Sequence, residues 1–349
     1  MRMVEAKSAA NSIVFAPLIF QCVYSLIKSG LLKTIDEAGR DGTTISQIKD
    51  KTKNLSNYAV DILIEAALNS GILKSENEKI SITKTGQCFL YDEMTRINLD
   101  FINDVCYRGM FYLQDSLQSG KPEGLKVFGS FKTIYEGLSQ LPQNVLNSWL
   151  AFDHFYSNIA FENTIEIILS KNPKVIFDVG CNNGQFESAI FKKGYLGKIV
   201  LLDLKPQLDA ARENLKSENL DNSIAFYPID ILKADEPFPQ DPAPDIILMS
   251  QFLDCFSQEQ IISILEKARA SMHKNTSCCI LEPFWDAQKF DSAKLSLSHT
   301  SLYFTAMANG CSKMYTSSQM IEIIKKSHLQ ISKIHNNIGD FQYSLIECG

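Results

Sequence analysis

VIFDVGCNNGQF, Val175 to Phe186, followed after a helix-length interval by KIVLLDL, Lys198 to Leu204, decides the fold of this chain. The first stretch is an apolar run that enters a glycine-bearing turn and then a helix. The second is an apolar run that ends on an acidic residue, Asp203. Short apolar runs bounded by turn residues and alternating with helical segments read as strands of a parallel sheet. Glycine lets backbone approach a ligand closely, and a carboxylate at the next strand end accepts hydrogen bonds from ribose hydroxyls. The pair therefore reads as a cradle for a nucleoside.

Working outward, strands and helices alternate from Lys174 on. Strands are predicted at Val175 to Val179, Ile199 to Leu204, Ile224 to Pro228, Ile246 to Gln251 and Ser277 to Glu282, with a helix at Gln258 to Met272 before the fifth. A helix at Ser317 to Ser327 and two terminal strands, Gln330 to Asn336 and Tyr343 to Glu347, complete the series. This is an α/β fold with a Rossmann-like doubly wound sheet and late antiparallel strands. Ligands of such sheets lie at the carboxyl ends of the strands. That rule selects Asp178, Gly180, Gly184, Asp203 and Leu204, then Asp230 and Ile231 after the third strand and Ser250 and Gln251 closing the fourth.

A dinucleotide is the competing ligand. Its glycine fingerprint places a third glycine where the helix packs on the strand, whereas here the glycines are Gly180 and Gly184, with none at 182, 183 or 185. A pyrophosphate at the helix N-terminus would be repelled by Asp178, while a cationic methionyl group would be attracted to it. The residues D-V-G-C-N-N-G, with Asp203 beyond, resemble motif I and its acidic partner in class I methyltransferases. The cofactor implied is S-adenosyl-L-methionine. Within that resemblance Asp230 accepts from the adenine amino group, Ile231 covers the ring, and Ser250 and Gln251 face the methionyl part.

At 349 residues the chain exceeds one typical domain of about 100 to 200 residues. The first hundred residues carry a different pattern: an apolar helix from Phe15 to Ser29 closed by Gly30, a short capped helix from Thr44 to Lys51, a longer one from Ser56 to Asn69, then ILKSENEKISIT as two short strands. Three helices and a hairpin make a winged helix. Its would-be recognition helix carries Asp61 and Glu65 and the chain has a net charge of -6, so nucleic acid is not the expected partner. Small-molecule methyltransferases that dimerise through such a domain resemble this arrangement, and FAPLIFQCVYSLI holds more apolar surface than one amphipathic stripe needs, so a homodimer is expected. The domains expected are 1–95 (winged-helix dimerisation), 96–170 (helical linker and active-site roof) and 171–349 (cofactor-binding). No uninterrupted apolar run reaches the roughly 18 residues of a membrane span, and no secretory leader is evident. The nine cysteines lack a C-x-x-C pair and read as reduced thiols of a cytoplasmic protein.

The chemistry is expected in the loop MSQFLDCFSQEQI. Phenolic O-methyltransferases resemble it, with a histidine base where this chain has Asp254 and an acidic residue where it has Cys255. An exposed aspartate, with a reference pKa near 3.9, takes a phenolic proton poorly. Asp254, Glu282 in CCILEPFWD and His299 in SLSHTSLYFTAMANG are therefore read as a catalytic set that holds a divalent metal, iron or zinc, and through it a chelating 2-oxo acid whose C3 enolate takes the methyl group. SQFLDCFS, LEPFWD and TSLYFTAMANG also resemble bacterial C-methyltransferases acting on 5-guanidino-2-oxopentanoate or arylpyruvates. His154, Phe155 and Tyr156 in the aromatic segment before the first strand, together with Trp285 and Tyr303, are the candidate substrate contacts. The alternatives are an O-methyltransferase of secondary metabolism acting on a phenol or hydroxyl through a histidine base, and a non-catalytic cofactor-binding regulator.

Overall fold

The computed structural model describes residues 2–216 and 223–349. The chain divides into two compact units, Met1–Ile102 and Asn103–Gly349. The segment read from sequence as a separate helical linker is thus not a unit of its own: from Asn103 onward it folds with the sheet.

The first unit holds α1 (Met3–Lys28), α2 (Leu31–Asp36), α3 (Ile45–Lys51), α4 (Asn57–Asn69), the hairpin β1 (Leu73–Glu76) and β2 (Lys79–Ile82), then α5 (Lys84–Tyr91) and α6 (Glu93–Phe101). Thr44 and Gln47 form a capping box on α3 and Ser56 caps α4, which satisfies amide groups the first helical turn leaves free. Leu26, Leu31, Leu32, Ile35, Ile48, Val60, Ile64 and Ile80 close the core, and Thr43 pairs with Ile80 beside the hairpin. The winged-helix pattern stands.

α1 begins well before the predicted Phe15 and runs through Pro17. The added turns are rich in good helix formers such as Ala, Glu and Lys but exposed, so no burial period marks them in the sequence. Only Cys22, Val23 and Leu26 of this helix are buried, while Ile13, Val14, Phe15 and Leu18 are exposed. The expectation that no segment matches a membrane span needs correcting: α1 is long and apolar enough to cross one by length and composition, because between Lys7 and Lys28 its polar residues are all uncharged.

The second unit opens with α7 (Leu113–Ser119), α8 (Ile134–Gly137) and the long α9 (Gln143–Leu169). Then follow β3 (Val175–Val179), α10 (Gln185–Lys192), β4 (Lys198–Asp203), α11 (Lys205–Leu215), β5 (Ile224–Pro228), β6 (Ile246–Ser250), α12 (Gln258–Ser271) and β7 (Ser277–Glu282). α13 (Asp291–Tyr303), α14 (Ser317–Lys326), β8 (Ile331–Ile338) and β9 (Tyr343–Cys348) end the chain. The sheet has seven strands in the order β5-β4-β3-β6-β7-β9-β8, parallel except where β9 pairs antiparallel with β7 and β8. β3 is central, with β4 on one side and β6 on the other, so the chain reverses its winding direction there. Apolar side chains cover both faces: Phe177, Val179, Ile247 and Met249 pack against α12 and α14, and Ile176, Leu201, Leu248 and Leu281 on the side that includes α9 and α10. Both faces being dry, the strand sequences are continuous apolar runs.

Candidate functional site

The turn after β3 is built around two glycines in left-handed backbone. Gly180 has φ of 80°, and a Cβ there would lie 2.1 Å from the Phe252 ring; Gly184 has φ of 83° and abuts Leu215. No side chain fits at Gly180, so the backbone is bare where a ligand would approach. Asp203 at the end of β4 fixes the turn, accepting from Asn182 N at 3.0 Å and from Leu204 N at 2.7 Å. Burial raises its carboxyl to about 7, against the lowering effect of those two amides. α9 lies over the same turn, with Asn182 donating to Asp153 at 2.9 Å and Asn183 hydrogen-bonded to His154 at 3.0 Å.

Among the described residues eight buried side-chain polar atoms lack a hydrogen-bond partner. Apart from Thr52 Oγ1 they belong to Asn183, Glu187, Gln207, Ser250, Gln251 and Glu282. All six stand at the carboxyl edge of the sheet, at a strand end, in the turn that follows, or in the first helical turn beyond it. A buried polar atom without a partner costs about 1–3 kcal/mol, so a concentration of them on one edge marks where partners come from outside the chain. The two non-glycine residues with positive φ on this edge, Asn182 (51°) and Gln251 (49°), flank it. Strain of this kind gathers at ligand sites.

Asp230 and Ile231 follow β5 as predicted. Asp230 Oδ1 accepts from Leu232 N at 3.1 Å, and Ile231 is buried in the core beside Phe238. Lys267 of α12 donates to the carbonyls of Ile231, Lys233 and Glu236 and so shapes the backbone of this loop. Ser250 closes β6; Gln251 accepts at Oε1 from the Tyr343 hydroxyl at 2.7 Å. An S-adenosyl-L-methionine molecule fits what this edge offers: a bare glycine turn, an acidic strand end for the ribose, and unpartnered polar atoms farther along.

Asp254 sits in the short turn Leu253–Cys255 after β6 and is 7% exposed. Glu282, the last residue of β7, holds that turn from below: its Oε1 accepts from Leu253 N at 2.8 Å and Phe252 N at 3.1 Å, and its Oε2 has no partner. Burial pushes Asp254 up to about 7, with the negative charge of Asp153 adding to the rise and the Cys255 thiol opposing it. Glu282 is raised as well, by burial first and by the charge of Asp254 second. The same chamber contains Tyr135 of α8, whose hydroxyl donates to Cys255 Sγ at 3.0 Å, Tyr303, which accepts from Trp149 Nε1 at 2.8 Å, and Tyr343. Asn309 Nδ2 fastens the Cys255 carbonyl at 2.7 Å.

His299 is not part of this group. It lies on an exposed face of α13 with Nδ1 2.8 Å from the Leu295 carbonyl of its own helix. Among the described residues no set of three or more His, Cys, Asp or Glu is placed to hold a metal ion, so the expected Asp254, Glu282 and His299 metal site is not assembled. His299 and Tyr303 are one turn apart on the same side of α13, but burial begins only at the end of that helix, where Tyr303 is buried and His299 is still exposed. Phe155 and Tyr156 form a cluster with Phe152 and Phe341, ring centroids 4.8 to 5.4 Å apart. Trp285 is half-buried in a short turn after β7.

Several of these residues were not anticipated from sequence. Glu187 carries a signal there, an acid directly before the apolar stripe of α10. Tyr135 carries none, because α8 is too short for a period to show.

Residues 7–80 match the Dimerisation2-like domain and residues 177–278 the methyltransferase domain. O-methyltransferase 2 of Dictyostelium discoideum is 22% identical over 334 residues, covering 90% of this chain and 93% of that protein. The S-adenosylmethionine-dependent methyltransferase SibL in its apo form shares the fold at a TM-score of 0.72 with 17% identity, over 98% of each chain. The mitomycin 7-O-methyltransferase MmcR does so at 0.72 with 13% identity, over 99% of this chain and 98% of its own. Human N-acetylserotonin methyltransferase, solved with its cofactor, superposes at 0.66 with 14% identity over 98% and 97%. With both domains matched on this fold, the chain is an S-adenosylmethionine-dependent methyltransferase of class I architecture, preceded by a Dimerisation2-like domain.

Proposed function

We propose that this enzyme methylates an oxygen of a small organic acceptor, a phenol or hydroxyl of secondary metabolism, with Asp254 as the general base. The observation that carries the reading is the state of Asp254. Buried at the ligand edge, its carboxyl is raised to about 7, where a base both exists in ionised form and still binds a proton usefully. The O-methyltransferases among its relatives support the class of reaction. Enolate chemistry on a metal-held 2-oxo acid has no such support, since the donor set it needs is not gathered.

The bound cofactor supplies an electrophilic methyl group. Gly180, Gly184, Asp203 and Leu204 hold its nucleoside, Asp230 and Ile231 its adenine, and Asp178, Ser250 and Gln251 its methionyl end. Glu282 positions the turn that carries the base. Phe155, Tyr156 and Tyr303 give the acceptor apolar walls, His154 holds the roof to the glycine turn, and Trp285 stands at the rim. The exposed apolar face of α1 supports a homodimer, and nine free cysteines support a reducing, cytoplasmic setting.

Methyl-labelled S-adenosylmethionine offered with phenols, hydroxy acids and 2-oxo acids, with and without chelator, tests the proposal by NMR of the product. An oxygen-bound label indifferent to chelator is expected. A carbon-bound label, or activity abolished by chelator, overturns it.

A further inference from the structure

Beneath the glycine turn lie two carboxyls, Asp178 at the proposed methionyl end and Glu187, whose burial together the proposed chemistry does not explain. Asp178, in β3, is 3% exposed, and Glu187, in the first turn of α10, is fully buried with neither carboxyl oxygen hydrogen-bonded. The other titratable groups that face them are Asp203 from β4 and the Cys181 thiol from the turn itself. No cation is among them. Asp203 is already engaged by two backbone amides, and Asp153 and His154 of α9 reach the turn only through Asn182 and Asn183. Two carboxyls in contact, shut off from water and from any cation, do not both ionise; they hold a proton between them. Burial raises both, Asp178 to about 6.

The two forms of the cofactor differ in charge in a way such a pair can read. Before transfer the sulfur is a sulfonium and the molecule carries one net positive charge. Transfer moves the methyl group as a cation equivalent to the acceptor oxygen, whose proton goes to the base, and leaves a neutral thioether. We propose that Glu187, held against Asp178 beneath the glycine turn, senses this charge: the sulfonium form binds with loss of the shared proton, and S-adenosylhomocysteine binds with the proton retained. Glu187 is then a specificity-determining residue that favours substrate cofactor over spent product. The inference rests on the cofactor class alone and is independent of which acceptor is methylated.

Titration calorimetry of the full chain with each cofactor form, in buffers of different ionisation enthalpy between about pH 5 and 7 (about one unit either side of the Asp178 value), counts the protons. S-adenosylmethionine is expected to release close to one proton below pH 6 more than S-adenosylhomocysteine does, with its affinity rising up to about tenfold per pH unit there. On an Asp254→Asn background, which removes the limb that Asp254 contributes near 7, Glu187→Gln abolishes the excess release and leaves the affinity ratio of the two forms flat with pH. Equal proton release by both forms in the wild-type chain overturns the proposal without any variant. So does a folded Asp254→Asn/Glu187→Gln protein in which the excess release of Asp254→Asn persists. Failure of both forms to bind at all is a different result, and refutes the cofactor assignment itself.

Discussion

Replacing Asp254 by Asn separates chemistry from stability. The carboxyl is 7% exposed and rises from 3.8 to about 7 on folding, a shift of roughly 3 units or about 4 kcal/mol. The sign follows from which state holds the proton. Below the unfolded value both states are protonated and burial of Asp254 costs nothing. Between about 4 and 7 the unfolded chain gives up the proton while the folded one keeps it, so the wild type loses stability as pH rises, and above about 7 the loss is complete. Asn carries no charge and escapes this penalty. Asp254→Asn should therefore melt like the wild type near pH 4 and progressively higher above it, by an amount on the order of 4 kcal/mol at pH 8. Its turnover should fall by about 10²- to 10⁴-fold, the usual share of a positioned base. Thermal melts across pH and labelled-methyl turnover read the two effects on one protein. Turnover within about threefold of wild type, against the loss a base accounts for, would refute the role of Asp254; a melting difference independent of pH would refute the raised carboxyl.

Other consequences can be checked separately. Asp153→Asn removes the charge that adds to the Asp254 rise while keeping an acceptor for Asn182, so the acid limb of the pH–rate profile should move to lower pH; an unmoved limb removes Asp153 from the site. Gly180→Ala places a methyl group 2.1 Å from the Phe252 ring on backbone at φ of 80°, and calorimetry should show cofactor binding lost together with at least about 1–2 kcal/mol of stability. Prolonged dialysis against a chelator should leave turnover unchanged; activity lost to it and restored by zinc or iron would reinstate a metal. Leu18→Glu on the exposed face of α1 should shift the native mass from dimer to monomer by light scattering while the far-UV spectrum holds.

How much of this was legible depended on how local the cause was. β3, β5 and β7 could be bounded to the residue because each is an apolar run stopped by a turn, and the capping residues Thr44, Ser56, Ser257 and Thr316 announce their helices. The carboxyl-edge rule then selected the candidate cofactor residues, since it needs only strand ends. It failed at His299, because nearness in chain order says nothing of where along α13 burial begins. The character of Asp254 was equally hidden. An aspartate in a polar-looking loop reads as exposed and acidic; burial raises this one to about 7, in a turn whose Phe252 and Leu253 amides are held by Glu282, 28 positions later. Glu187 escaped notice for the converse reason, as a charged residue beside an apolar stripe whose burial no local rule anticipates.

An aspartate base, rather than a histidine, has a chemical consequence. Both residues offer a base near pH 7, the imidazole by its own nature and the carboxyl through burial. They differ in charge. A histidine that accepts the acceptor's proton becomes a cation beside the sulfonium, whereas Asp254 begins as an anion and ends neutral. A carboxylate is stabilised by a nearby positive charge, so binding of the cofactor should lower the pKa of Asp254, where it would lower that of an imidazole by disfavouring the cation. For both, the complex titrates below the free enzyme, and both gain affinity for the cofactor on losing the proton. The cofactor's dissociation constant should therefore fall as pH rises through about 7 in the wild type and lose that dependence in Asp254→Asn. A histidine base predicts the same direction, affinity lost on protonation because like charges meet, and no titrating base predicts a flat curve, so it is the loss of the dependence in Asp254→Asn that assigns it to the carboxyl. Measuring affinity for S-adenosylmethionine against pH in Asp254→Asn and Glu187→Gln, singly and together, assigns each limb to its carboxyl: if the dependence survives in the double variant, neither residue is its source.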